Sequence, residues 1–225
     1  MGVSTQGQPR RRVTEQQREL RFDAGTLCLD LVATVGRRPH VPVERMGDAA
    51  RLKAWCAGTG VALAPGYDAA AVLASLHELR TAAFDIASSA VDGHVPDRRA
   101  VALVNRLART HPPVPRLELT ADGPPSSPDH GLLTVRELLS VVARDLISLM
   151  SDDGRRSRLR ACASDACRML YLDGARGRTR KWCSMRRCGN QAKAANHRGK
   201  AAPPQDATPT RPPDTDRADP AAHGS

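Results

Sequence analysis

The chain has 225 residues, with 34 Lys and Arg against 24 Asp and Glu, giving a net charge of +10. Aromatic residues make up only 3% of it, so a core must rely on Ala, Leu and Val; this favours close-packed helices and argues against a β-sandwich. The first thirty residues hold no apolar leader, and no stretch approaches the length of apolar chain that a membrane needs. The expectation is therefore a cytoplasmic protein, where clustered cysteines read as metal ligands before disulfides.

Residues 1–20 are polar and include Arg10-Arg11-Arg12, which predicts a disordered basic N-terminus. From Phe22 the chain becomes apolar, and Leu27, Leu29, Leu31, Val32 and Val35 predict a short buried helix ending near Gly36. Pro39 and Pro42 mark a loop. Asp48 is placed to cap a helix with Ala49, Leu52, Trp55 and Cys56 on one face, stopped by Gly58 and Gly60. Asp68 to Ala90 predicts the clearest helix: Val72, Leu73, Leu76, Leu79, Ala83, Ile86 and Ala87 recur with helical period, while Glu78 and Arg80 are expected to face outward. Cys28 and Cys56 read as plain core residues. Pro96 opens a further helix with Val101, Leu103, Val104 and Leu107 on its buried side.

Leu117 to Thr120 alternates apolar and polar and predicts a short strand, followed by a turn-rich connection from Pro124 to His130. A long helix is expected over Leu132–Met150, closed by Asp152, Asp153 and Gly154 at a domain boundary. The fold class that follows is mainly α. A helical domain over 21–154, with a short β element, precedes a small module over 155–200. Six prolines lie within 203–220, so 201–225 is expected to be a disordered tail.

The small module carries the chemistry. Cys162, Cys167, Cys183 and Cys188 form two close pairs joined by a loop of intermediate length, a spacing that closes four thiolates around one zinc ion at low chain-entropy cost. A redox pair is the secondary reading, since the spacing is not Cys-x-x-Cys. Cys162 to Cys167 is short enough for a knuckle. Arg168–Leu172 and Thr179–Cys183 are expected to pair as a hairpin, and a helix should run from about Ser184 to Asn196 with Cys188 on it. Knuckle, hairpin and helix in that order make a treble-clef-like zinc module.

Trp182-Cys183-Ser184-Met185, followed by Cys188-Gly189-Asn190, resembles the CGNR-type zinc finger, in which a Trp-Cys-Ser stretch precedes a Cys-Gly-Asn-Arg signature. Leu27-Cys28-Leu29-Asp30-Leu31-Val32 resembles the N-terminal motif of the ABATE domain, which joins that finger in a family of stress-induced transcription regulators. Two positions depart from the pattern: Gln191 stands where the signature has Arg, and Ala33 where the family tends to have Asn. The resemblance implies a regulator.

Charge placement points the same way. Residues 155–200 hold 14 Lys and Arg against only Asp165 and Asp173, whereas 1–154 is balanced; a zinc ion with four thiolates would lower the surplus only to about +10. On the expected helix, Arg186, Arg187, Asn190, Gln191, Lys193 and Arg198 are candidates to contact duplex DNA, and Arg178, Arg180 and Lys181 to contact its backbone. Trp182, beside a ligand cysteine, reads as a core plug rather than a stacking platform. Phosphate-loop and hydrolase motifs are missing, and a zinc closed by four cysteines leaves no position for water, so an enzyme is not expected. The partners expected are DNA, a small-molecule effector or second copy for the helical domain, and no membrane. The alternative is an adaptor whose basic finger docks an acidic partner.

Overall fold

The chain turns helical before its polar N-terminus ends. In this computed structural model, which describes residues 13–114, 118–120, 123–126, 131–174 and 180–194, Thr14 opens a one-turn helix, α1 (Glu15–Arg18). The Thr14 hydroxyl accepts the Gln17 amide hydrogen while the Gln17 side chain accepts that of Thr14, so two free amides are satisfied reciprocally. The disorder expected over 1–20 thus does not describe residues 14–18. Residues 1–12 and the proline-rich tail lie outside the described residues.

Helix α2 (Leu27–Val32) lies at the centre of the helical domain, with Cys28, Leu29, Leu31 and Val32 all buried. Its N-terminus is closed by the Thr26 side chain and by the Asp145 carboxylate, which accepts the Cys28 amide hydrogen at 2.8 Å. An antiparallel pair follows, β1 (Val35–Gly36) with β2 (Val43–Glu44). Helix α3 (Ala49–Thr59) starts at Asp48, whose carboxylate accepts the Arg51 amide hydrogen, and stops at Gly60, which adopts the left-handed conformation (φ 72°) that a side chain would oppose. The start falls at the expected cap, whereas Gly58 lies within the helix and Gly60 alone ends it.

Strand β3 (Ala62–Leu63) leads to the longest helix, α4 (Ala69–Asp92), capped by Asp68 and ended by Gly93 at φ 73°. Helix α5 (Arg98–Leu107) folds back onto it from the Asp97 cap. Strands β4 (Glu118–Thr120) and β5 (Gly123–Ser126) pair antiparallel, so part of the expected turn-rich stretch is strand; residues 115–117, 121–122 and 127–130 lie outside the described set. Strand β6 (Leu132–Leu133) runs parallel to β3. Helix α6 (Val135–Ser151) then begins with a Thr134–Glu137 reciprocal cap and packs on α2, α4 and α5. Trp55, Leu76, Leu79, Leu138, Val142, Leu146 and Leu149 fill the resulting core, with Ala82, Ala83 and Ala87 letting α4 approach its neighbours.

Arg80 corrects the outward face expected for α4. Glu78 is exposed, but Arg80 is buried. Its Nη1 donates to Thr34 Oγ1 and Glu44 Oε1, both at 2.8 Å, and its Nη2 donates to Glu44 Oε2 at 2.7 Å. The β1–β2 arm covers this flank of α4 and supplies the carboxylate. Helical period alone could not anticipate a second layer there.

After α6, Asp152 is extended and caps a further turn, α7 (Asp153–Arg156), so the acidic stretch ends one helix by starting another. Strand β7 (Leu159–Ala161) then pairs antiparallel with β8 (Leu170–Leu172), with Arg160 opposite Tyr171. The hairpin therefore encloses the first cysteine pair. The expected pairing of Arg168–Leu172 with Thr179–Cys183 is not made among the described residues; residues 180–183 instead run beside the knuckle, joined by the Ala163 amide donating to the Lys181 carbonyl at 2.9 Å. The closing helix begins with one wide turn over Met185–Gly189 and continues as α-helix over 190–194.

Candidate metal centre

Backbone turns bring the four cysteines together. The Cys162 amide donates to the Met169 carbonyl at 2.8 Å and the Cys167 amide to the Ser164 carbonyl at 2.8 Å, closing the first knuckle. Arg168 leaves that knuckle in the left-handed region at φ 48°. Ser184 caps the closing helix: its carbonyl accepts the amide hydrogens of both Cys188 and Gly189, at 2.9 and 3.1 Å. The second bond spans five residues rather than four. This wider turn presents Cys188 inward.

All four sulfur atoms lie within 4.8 Å of one another. Cys183 Sγ is 3.7 Å from Cys167 Sγ and 3.6 Å from Cys188 Sγ. A zinc tetrahedron with bonds of about 2.3 Å has sulfur–sulfur edges of about 3.8 Å. The donor set and its spacing fit a tetrahedral ion closed on all sides. Cys162, Cys183 and Cys188 are buried and Cys167 is partly exposed.

Four crowded thiols cannot hold their protons independently. Hydrogen bonds from Cys162, Cys167 and Cys188, aided by the charge of Arg21, hold Cys183 well below the ordinary thiol range. Cys162 is lowered to about 7, chiefly by its hydrogen bond with Cys167. Cys167 and Cys188 are pushed up in compensation. Thiolates are the form a metal takes, and the lowering of Cys183 favours that form.

The surroundings come from both parts of the chain. Arg21 Nη1 donates to Cys183 Sγ at 3.1 Å, while its Nε and Nη2 hold both oxygens of Asp23 at 2.9 and 2.6 Å. The Leu172 amide donates to the Ala24 carbonyl, and the Ala24 amide donates to Asp30 Oδ1, so the Leu27–Val32 motif anchors the finger's strand. Gly25 is needed at that crossing: it sits at φ 100°, and a Cβ there would lie 3.0 Å from the Leu172 Cβ. Arg168 pairs with Asp92 at the end of α4. Leu159, Leu170 and Tyr171 join the same buried cluster as the helical core.

The candidate DNA-contacting residues divide into two groups. Arg186, Asn190, Gln191, Lys193 and Lys181 are exposed. Arg187 turns toward α1, where it donates to the Gln16 carbonyl and pairs with Glu19 at 2.6 Å. Arg180 stacks 4.2 Å over the Tyr171 ring and donates to the Leu172 carbonyl. Arg178 and Arg198 lie outside the described residues. Trp182 is half-buried against the core as a plug, and a Cβ on Gly189 would lie 3.2 Å from its Cδ1. No local pattern marks Arg21 or Arg45 as neighbours of the sulfurs. Both are remote in the chain, and only the docking of the two modules reveals them.

Two family models match the chain. One, described as "Putative stress-induced transcription regulator" (ABATE), matches residues 25–153, more than half of the length. The other, described as a CGNR zinc finger, matches residues 158–201. No curated protein matches it. No helix among the described residues is long and apolar enough to cross a membrane.

Proposed function

The chain belongs to the ABATE family, and from that premise we propose that it is a zinc-dependent transcription regulator whose C-terminal finger binds duplex DNA. One observation carries the reading. The closing helix is turned so that Arg187 faces the helical domain while Arg186, Asn190 and Lys193 stand exposed at intervals of four and three residues, the spacing of one helical face. That face is cationic, lies in the most basic segment of the chain, and carries an amide able to pair with adenine. Lys181 adds a phosphate contact from the preceding segment. Four sulfurs close the metal, so zinc here is structural and the protein is not an enzyme in this reading.

The helical domain is the input of this regulator, through a small-molecule effector or a second copy of the chain. Its contacts to β8, the knuckle, Cys183 and the closing helix support that role. The site of action is the bacterial-type nucleoid in the cytoplasm. The test is selection of bound duplexes from a random pool by the zinc-loaded full chain. Enrichment of one sequence, with affinity that falls steeply with salt, is the expected result. If no duplex is retained at low salt, the DNA reading fails and the finger is an adaptor for an acidic partner.

A further inference from the structure

Arg45 poses an electrostatic problem that its own neighbours do not solve. It is buried, with 8% of its surface exposed. Its Nε donates to the Gln17 carbonyl at 2.8 Å and its Nη1 to the Ala33 carbonyl at 2.5 Å. Among the described residues no carboxylate pairs with it. The cations of Arg21 and Arg187 lie close enough to disfavour its charge, and Arg37, whose Nε is buried without a partner, lines the same cleft. Asp23 and Glu19 answer Arg21 and Arg187. Among the described residues no carboxylate answers Arg45 or Arg37 in the same way. Burying a cation among cations is costly unless an anion is near.

The anion at hand is the sulfur cluster, since the cleft that holds these arginines is also lined by Cys167 and Cys188. Four thiolates around one dication carry a net charge of −2. Arg21 touches that charge directly through its bond to Cys183 Sγ, and Arg45 lies within electrostatic reach of Cys167 and Cys183. Gly36 preserves the arrangement: a Cβ there would lie 2.3 Å from Arg45 Nη2.

We propose that Arg21 and Arg45, both from the N-terminal part of the chain, are outer-sphere members of the metal centre, so that the ion is held by the finger and the helical domain together. The two guanidinium groups position and neutralise the thiolates without binding the metal. Metal loading and docking of the finger are then coupled, because Arg21 and Arg45 belong to one module and face the ligands of the other. This stands independently of DNA binding.

The test uses the full chain with Arg21→Gln, Arg45→Gln and Arg21→Lys, and with Arg98→Gln, exposed on α5, as the control. Zinc affinity is read by competition with a chromogenic chelator, and ligand geometry by the thiolate-to-cobalt absorption of the cobalt-substituted protein. Each Gln variant is expected to lose 10–100-fold in zinc affinity, the range for removing an outer-sphere partner, and to shift the cobalt band; the control should do neither. Arg21→Lys keeps the charge but cannot hold Asp23 and Cys183 together, so it should lose less and still shift the band. Zinc affinities within threefold of the parent, with unchanged cobalt spectra, overturn the proposal. Should Arg21→Gln fail to fold, the Lys variant decides: an unchanged band then counts against it.

Discussion

Arg21 Nη1 and Cys183 Sγ, 162 positions apart in the chain, meet at 3.1 Å. The bond joins the segment before α2 to a ligand of the finger, so the metal centre is not confined to its own module. Its guanidinium remains charged: burial opposes the charge, but the Asp23 hydrogen bonds and the Cys183 sulfur more than offset it. The small module therefore rests on the helical domain through a buried cation as well as through apolar packing.

Removing the metal should loosen the whole chain. Elemental analysis is expected to find one zinc per chain, and a strong chelator should lower the thermal midpoint. An ion that binds only the folded state adds about 4 kcal/mol at thousandfold saturation. Cys183→Ser removes the sulfur that lies 3.7 Å from Cys167 Sγ and 3.6 Å from Cys188 Sγ and accepts from Arg21, and should abolish stoichiometric uptake. A melting curve indifferent to the chelator would count against the centre.

Salt dependence separates the two groups of arginines. Arg186→Ala combined with Lys193→Ala should weaken duplex binding and flatten the slope of log affinity against log salt by about 2, one for each lost phosphate contact. Arg187→Ala should leave that slope alone and cost about 1 kcal/mol or less of stability, since its pair with Glu19 is half-exposed. The reverse pattern would mean that Arg187, not the outward face, meets DNA.

Glu44→Gln is expected to destabilise the chain by about 1–3 kcal/mol in urea melts. It leaves the buried Arg80 without its carboxylate, a loss moderated by the partial exposure of Glu44. Burial alone would push the Glu44 carboxyl up, but hydrogen bonds from Arg80 and the Met46 amide hold it below the ordinary range. Its contribution is then fully present above the unfolded value, about 4.3, and is lost as pH falls through the lower folded value. The gap between parent and variant should narrow below about pH 4; a gap constant through that range would show that Glu44's ionisation is not what holds Arg80.

Asp30 has the opposite sign. Burial raises its carboxyl to about 6, against the lowering effect of the Ala24 amide, with Asp23 and Asp145 adding to the rise. The folded chain holds this proton more tightly than the unfolded chain, so stability declines as pH rises from about 4 to about 6 and is flat beyond. Asp30→Asn keeps an acceptor for the Ala24 amide without the charge. It should stabilise the chain by about 1–2 kcal/mol at pH 7, allowing for partial solvent contact, and by nothing at pH 3.5. Equal stabilities at both pH values would remove this account.

Local pattern made much of the fold legible. Asp48 and Gly60 bound α3, Asp68 opens α4, and the helical face of Leu76, Leu79 and Ala83 is buried, because caps and 3.6-residue periodicity depend only on near neighbours. The clustering of the four cysteines was legible because soft donors in two close pairs suit one ion whatever lies around them. The hairpin was misplaced because Arg168–Leu172 can pair with either flanking segment, and alternation along one strand does not choose its partner.

The sequence by itself determined the helices, the sulfur centre and the basic character of the segment that carries it, all set by interactions between residues close in the chain. Tertiary structure alone decided which charges stay in water. Arg80 and Arg45 lie inside, Arg187 is bound to α1, and Arg186 and Lys193 remain outside. Desolvation depends on which surfaces meet, and those surfaces come from positions far apart in the chain.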